Sequence, residues 1–200
     1  MKVEMGGADQ TTAERRSALV VVDMQNAFVS PAAGRPVEGA DRVLQAVNGC
    51  VAQAVERGWP VFYTQDVAPF DMPAQELARE IELHEGLDVR GRVVPKGPGR
   101  KGGFSGFLLA SSDRPGGGAL SPLAELLVEA HVDEVVVVGL AADVCVAATA
   151  RDARRLGLHV TVPLAATAFV HAHPGGDEAA IDDLRAAGVT VVDQPVLSPH

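Results

Sequence analysis

Three residues of this 200-residue chain have side chains suited to acyl-transfer chemistry and stand at comparable places in its pattern: Cys145, Asp23 and Lys96. Cys145 closes the stretch VVVVGLAADVC, in which four valines read as a strand buried on both faces. Gly139 breaks that run, and small residues lead into a helical segment over residues 145–156. A thiol where a strand hands over to a helix faces unpaired N–H groups and the positive end of a dipole. Both favour a thiolate, and the same N–H groups can meet a developing oxyanion. The competing reading is a small buried hydrophobe, the commoner fate of a cysteine in an apolar segment. Asp23 ends the strand-like ALVVVDM, and Lys96 follows a short run ending in Pro95. A carboxylate beside a thiol can take its proton and later pass it to an amine leaving group. An ammonium nearby supports the thiolate and keeps the carboxylate ionised. Asp at a strand end and a surface Lys are each ordinary features, so spacing alone is a weak signal.

What makes the three meaningful together is the set of elements that must carry them. Strand patterns fall over residues 18–24, 59–66, 92–94, 135–138, 158–164 and 189–192. Helical periods fall over residues 40–57, with Gly58 as a stop, and over 75–83, 121–130 (capped by Ser121), 145–156 and 177–187. Strands alternating with helices at this rhythm predict an α/β fold, a doubly wound, mostly parallel six-stranded sheet with right-handed crossovers. Loops that follow parallel strands emerge at one edge, so Asp23, Lys96 and Cys145 share a topological address despite their separation in sequence. The glycine-rich loop over residues 96–118 is of the long kind that is usually functional inside a compact domain. It does not follow the GxxxxGK[ST] order and opens no helix, so it is not a phosphate loop.

Composition narrows the partners. A formal charge of −9 with interspersed signs leaves no basic footprint for nucleic acid or for an anionic membrane surface. No apolar run reaches transmembrane length, and the polar start lacks a signal-peptide core, so a cytoplasmic protein is expected. Residues 1–17 read as a disordered tail ahead of a single domain over residues 18–195. Only two cysteines occur, Cys50 and Cys145, which argues against a disulfide framework and excludes a CxxC zinc site.

The stretches VVVDMQNAF, PKG followed by GFSGF, and GLAADVCVAATARDA resemble the three signature motifs of the isochorismatase-like cysteine hydrolases. Within that superfamily the chain is most similar to nicotinamidase, over residues 18–192. The resemblance implies a Rossmann-like three-layer α/β/α fold with a catalytic triad of Asp23, Lys96 and Cys145. It also implies a cis peptide at Leu140–Ala141 and an oxyanion hole formed by the amides of Ala141 and Cys145. Phe28 falls at the place of the ring-stacking aromatic, and Phe104 and Asp66 are further candidate substrate contacts; Phe107 reads as a loop anchor. Ala27 replaces an acidic residue of the first motif, away from the chemistry.

One departure is informative. Nicotinamidases carry an Asp-aromatic-His run after the second strand, which with further histidines binds a metal; here it reads Asp66-Val67-Ala68. His84 matches a non-ligand histidine, and His171 and His173 read as exposed loop residues rimming the pocket. One carboxylate cannot assemble a coordination sphere, so neither a metal nor any other cofactor is expected. The expectation is a metal-independent hydrolase of a small amide, ureido or lactam C–N bond, working through a thioester. Its partner would be a small-molecule substrate, and the resemblance implies a homodimer or homotetramer. A nicotinamidase with an altered metal site and a non-catalytic binding homologue are the alternatives. Vinyl ether hydrolysis fits less well, because it needs no nucleophilic cysteine.

Overall fold

The structure, a computed structural model, describes residues 15–32, 36–110 and 118–194. Parallel strands β1 (Ser17–Val22), β2 (Val61–Asp66) and β3 (Arg92–Lys96) form one half of the main sheet. A small antiparallel pair, β4 (Leu108–Ala110) with β5 (Gly118–Leu120), forms a second sheet that is tied to the end of β3 by the Gly97 amide, which donates to the Leu108 carbonyl at 2.9 Å. The other half consists of β6 (Glu134–Leu140), β7 (His159–Pro163), the two-residue β8 (Thr167–Ala168) and β9 (Thr190–Val192). The strand order is β3-β2-β1-β6-β7-β9, the expected six, with β8 added beside the end of β6.

Alternation along β1 shows why the sheet is covered on both faces. Ala18, Val20 and Val22 join one buried cluster, and Leu19 and Val21 join another. The second cluster is closed by helix α2 (Ala40–Glu56), whose buried stripe includes Val43, Val47, Cys50, Val51 and Ala54 at a helical period. A one-turn helix α1 (Asn26–Val29) precedes it, and α3 (Ala74–Glu80) follows β2. The first cluster takes its helical residues from α4 (Leu123–Glu129), α5 (Ala147–Arg155) and α6 (Gly176–Ala186). The doubly wound, three-layer arrangement expected from the sequence is the one found.

Several local expectations are corrected. The first strand begins at Ser17 rather than Ala18, because the Arg16 carbonyl already receives the Asp133 and Glu134 amides at 2.8 and 3.2 Å. The rest of the expected disordered tail, residues 1–14, lies outside the described residues. Ser121 caps the start of α4 as expected: its Oγ accepts the Leu123 amide, while its hydroxyl donates to the Gly106 carbonyl. The helix expected over residues 145–156 is split, with a π-turn over Ala142–Val146 leading into α5. Among the described residues no helix is long and apolar enough to cross a membrane.

Candidate active site

Strand β1 is paired with β2 on one side and β6 on the other, so the winding direction reverses there and a crevice opens at the C-terminal edge. Asp23 is the first residue beyond β1. Lys96 ends β3, directly opposite Asp66 in the β2–β3 register. Cys145 lies in the π-turn just beyond β6, after the expected cis bond between Leu140 and Ala141. Close approach of β6 to β1 requires Gly139: it has φ +106°, and a Cβ there would stand 2.2 Å from the Val22 carbonyl oxygen.

The three side chains meet. Lys96 is wholly buried, and its ammonium lies 2.7 Å from Asp23 Oδ2, 2.8 Å from the Phe104 carbonyl and 3.2 Å from Cys145 Sγ. Three N–H groups thus face three acceptors, the full complement of an ammonium. Asp66 Oδ2 stands further off, at 3.8 Å. Burial alone would lower the Lys96 pKa, but Asp23, Cys145 and Asp66 outweigh it and hold the lysine charged. Asp23 is itself fully buried, with φ at 51°, a left-handed conformation that Asp tolerates better than most residues. Thr64 fixes its carboxylate: the hydroxyl donates to Oδ1 at 2.6 Å and accepts the Asp23 amide at 3.2 Å. With Oδ1 so engaged, Oδ2 is the oxygen left to receive a proton.

The Cys145 thiol is pushed well up, first by burial and then by the charge of Asp23, with Lys96 pulling the other way. Burial and the carboxylate thus oppose the thiolate that the helix end and Lys96 favour. In a dry site beside a carboxylate the thiol keeps its proton, and that carboxylate is a base able to remove it. Cys50, at 0% exposure in the face of α2, is raised to about 11 by burial. Access separates the two cysteines, because Cys145 lines a cavity. We expect a short iodoacetamide pulse at neutral pH to label Cys145 well ahead of Cys50, read by peptide mass mapping. Its raised pKa means that the labelling rate keeps climbing above pH ~8.5, the value for a free thiol. Equal labelling of the two, or faster labelling of Cys50, would contradict the placement.

That cavity has a volume of about 270 Å³ and contains all three expected substrate contacts, Phe28, Asp66 and Phe104, on its walls. Phe28 meets Phe70 edge to face at 5.7 Å. Phe104 serves twice, through its ring and through the carbonyl that holds Lys96. Phe107 is a core residue, as expected of an anchor. Asp66 is a staple before it is a contact. Its Oδ1 accepts the Ala68 amide at 3.0 Å and its Oδ2 the Gly99 amide at 2.8 Å. Gly97 is needed beside it, since a Cβ there would fall 2.6 Å from Oδ1. Gln25 fastens the same corner, accepting the Asp66 amide and donating to the Asp66 and Ile81 carbonyls.

The three histidines considered above are held by local partners. His84 Nδ1 accepts the Gly86 amide, and His171 and His173 pair with Asp177 and Asp183. The expected rim position holds only for their neighbour Val170, which reaches the cavity wall. Asp143 holds that loop to the Cys145 turn by accepting the amides of Val170 and Ala172 at 3.0 and 2.6 Å. Sequence reasoning missed Thr64, Gln25, Asp143, Phe70 and Arg100. The one available signal was polarity at the end of apolar strands, at Thr64 and Gln25.

An α/β sheet with a cysteine, an aspartate and a lysine converging at its switch point defines a class of hydrolase. The isochorismatase domain model matches residues 17–195, and the chain belongs to that family. It is 35% identical over 189 residues to a streptothricin hydrolase of Streptomyces noursei, covering 92% of this chain and 68% of that one. It is 31% identical to a nicotinamidase/pyrazinamidase of Mycobacterium tuberculosis, covering 88% of this chain and 97% of that protein. A pyrazinamidase of Pyrococcus horikoshii, solved in complex with zinc, superposes with a TM-score of 0.71 at 26% identity, over 90% of this chain and 99% of that one. These relatives place the chain among the family's amidohydrolases. The residues beside the cavity do not fit a metal ion of that kind. Both Asp66 oxygens already receive backbone amides, and no cluster of three or more His, Cys, Asp or Glu suited to a metal occurs among the described residues.

Proposed function

We propose that the protein is a cysteine-dependent, metal-independent hydrolase of a small amide, ureido or lactam C–N bond. The observation that carries this reading is the Cys145 thiol set between the Asp23 carboxylate and the Lys96 ammonium at the wall of a small apolar cavity. Sγ attacks the carbonyl carbon as Asp23 Oδ2 takes the thiol proton, so an S–C bond forms and the carbonyl becomes an oxyanion. The amides of Ala141 and Cys145 receive that oxyanion. As it collapses, the C–N bond breaks and Asp23 returns the proton to the leaving nitrogen, giving a thioester and free amine or ammonia. Water then attacks the thioester, losing a proton to Asp23, and the S–C bond breaks to restore the thiol. Lys96 stays protonated throughout and offsets charge first on Asp23 and then on sulfur.

A cavity of about 270 Å³ is small beside the ~300–1,000 Å³ of sites for drug-sized ligands, which favours a compact substrate. A nicotinamidase that holds its ring through a metal is disfavoured by the engagement of Asp66. A non-catalytic homologue has no use for an ammonium desolvated against a thiol and two carboxylates. Ammonia release across a panel of small primary amides and ureido compounds, with appearance of the ring-opened amino acid followed for lactams, tests the reading. Turnover of the best substrate is expected to survive exhaustive chelation. A stoichiometric bound metal whose removal abolishes turnover would overturn the metal-independent assignment.

A further inference from the structure

Among the described residues the cavity wall is apolar except for two charged side chains, Asp66 and Arg100. Asp66 is 2% exposed, and both its oxygens are taken by backbone amides, so it has little left to offer a ligand. Arg100 is different. It lies in the 3₁₀ turn Gly99–Lys101, between Lys96 and Phe104, and its Nε donates to the Ala68 carbonyl at 3.2 Å. That bond orients the guanidinium plane without using its terminal nitrogens. Nη1 lies 3.7 Å from Asp71 Oδ1, on a side chain that is 93% exposed, and Nη2 has no partner among the described residues. An ion pair so long and so wet contributes little and yields readily to a better-placed anion.

We propose that Arg100 is the specificity-determining residue of this cavity and selects small amide or ureido substrates that carry a carboxylate. The inference rests on the hydrolase reading above and narrows its substrate class. A cationic substrate would find no disengaged carboxylate on the cavity wall. A neutral one would leave the guanidinium to water and Asp71. A carboxylate matches the guanidinium fork in charge and in geometry, while the rings of Phe28, Phe70 and Phe104 accept a flat or aliphatic body. The substrate thus spans from Cys145, where its carbonyl reacts, to the rim, where its anion is read.

Matched pairs of probes separate this inference from the hydrolase reading. Ortho, meta and para carbamoylbenzoates are compared with the corresponding toluamides, and N-carbamoylglycine with N-ethylurea, so that each pair differs in one carboxylate. Binding is measured by calorimetry on Cys145→Ala protein, and ammonia release on the wild type. In the best-fitting pair the anion is expected to bind ~10- to 100-fold tighter than its neutral partner, the range of a charge-assisted hydrogen bond. Arg100→Gln should erase that difference by weakening the anionic member far more than the neutral one, while Arg100→Lys keeps part of it. Asp71→Asn should tighten the anion by ~2- to 5-fold by removing an exposed competitor. Equal affinity within every pair, no binding of any carboxylate, or equal weakening of both members by Arg100→Gln would overturn the proposal. Anion discrimination without ammonia release from any probe would leave Arg100 assigned and overturn the hydrolase reading. Ammonia release from neutral and anionic members alike, indifferent to Arg100→Gln, would do the reverse.

Discussion

Replacing Cys145 by alanine is expected to lower turnover by ~10⁴-fold or more, the scale on which loss of a covalent nucleophile is felt in enzymes whose catalytic groups act as a unit. The fold should tolerate the change. Cys145 is 8% exposed, where the first core cluster meets the cavity wall, and alanine keeps its Cβ and removes only the sulfur. The protein should therefore express, show an essentially unchanged melting temperature and still bind substrate. Residual turnover within ~10-fold of wild type would show that the reaction does not pass through sulfur.

Asp23→Asn carries the second large effect. Asparagine has the same shape, accepts the left-handed backbone at φ 51° and can still receive the Thr64 hydroxyl on its oxygen, but it cannot take a proton. Turnover should fall by ~10² to 10⁴-fold, the range for losing general acid–base catalysis. Substrate affinity should change far less, since Asp23 does not line the cavity wall. Lys96→Met should be comparably damaging to turnover, and it is harder on the fold: it leaves Asp23 and Asp66 buried without their cation, a loss of the kind that costs about 3–5 kcal/mol. Near-wild-type rates in Asp23→Asn would end the proton-shuttle assignment even for a Cys145-dependent hydrolase.

The parts of the site legible in the sequence were those fixed by topology. Asp23, Lys96 and Cys145 each follow a parallel strand, and a parallel sheet delivers all such positions to one edge. The two-faced burial of ALVVV and VVVV was likewise readable from unbroken apolar runs. What escaped was set by contacts between loops. Thr64 matters because the β1–β2 register brings its hydroxyl to Asp23, and a single threonine in VFYT announces nothing of the kind. The π-turn is invisible to a helical-period argument, because Ala142–Val146 has the same mostly small residues as the first turn of α5. Two-residue β8 has no period at all and exists because β6 offers it an edge. The helix end and Lys96, which favour the thiolate, can be read from the chain, whereas the burial that opposes it is set by tertiary packing and cannot.

Rapid acid quench of a turnover mixture, followed by intact-protein and peptide mass spectrometry, tests the thioester at Cys145 most directly. The account predicts a mass increase equal to the acyl part of the substrate on the peptide containing Cys145, sensitive to hydroxylamine, and absent when Cys145→Ala protein is used. Steady turnover with no adduct on that peptide at any quench time, and undiminished by loss of the thiol, would contradict it.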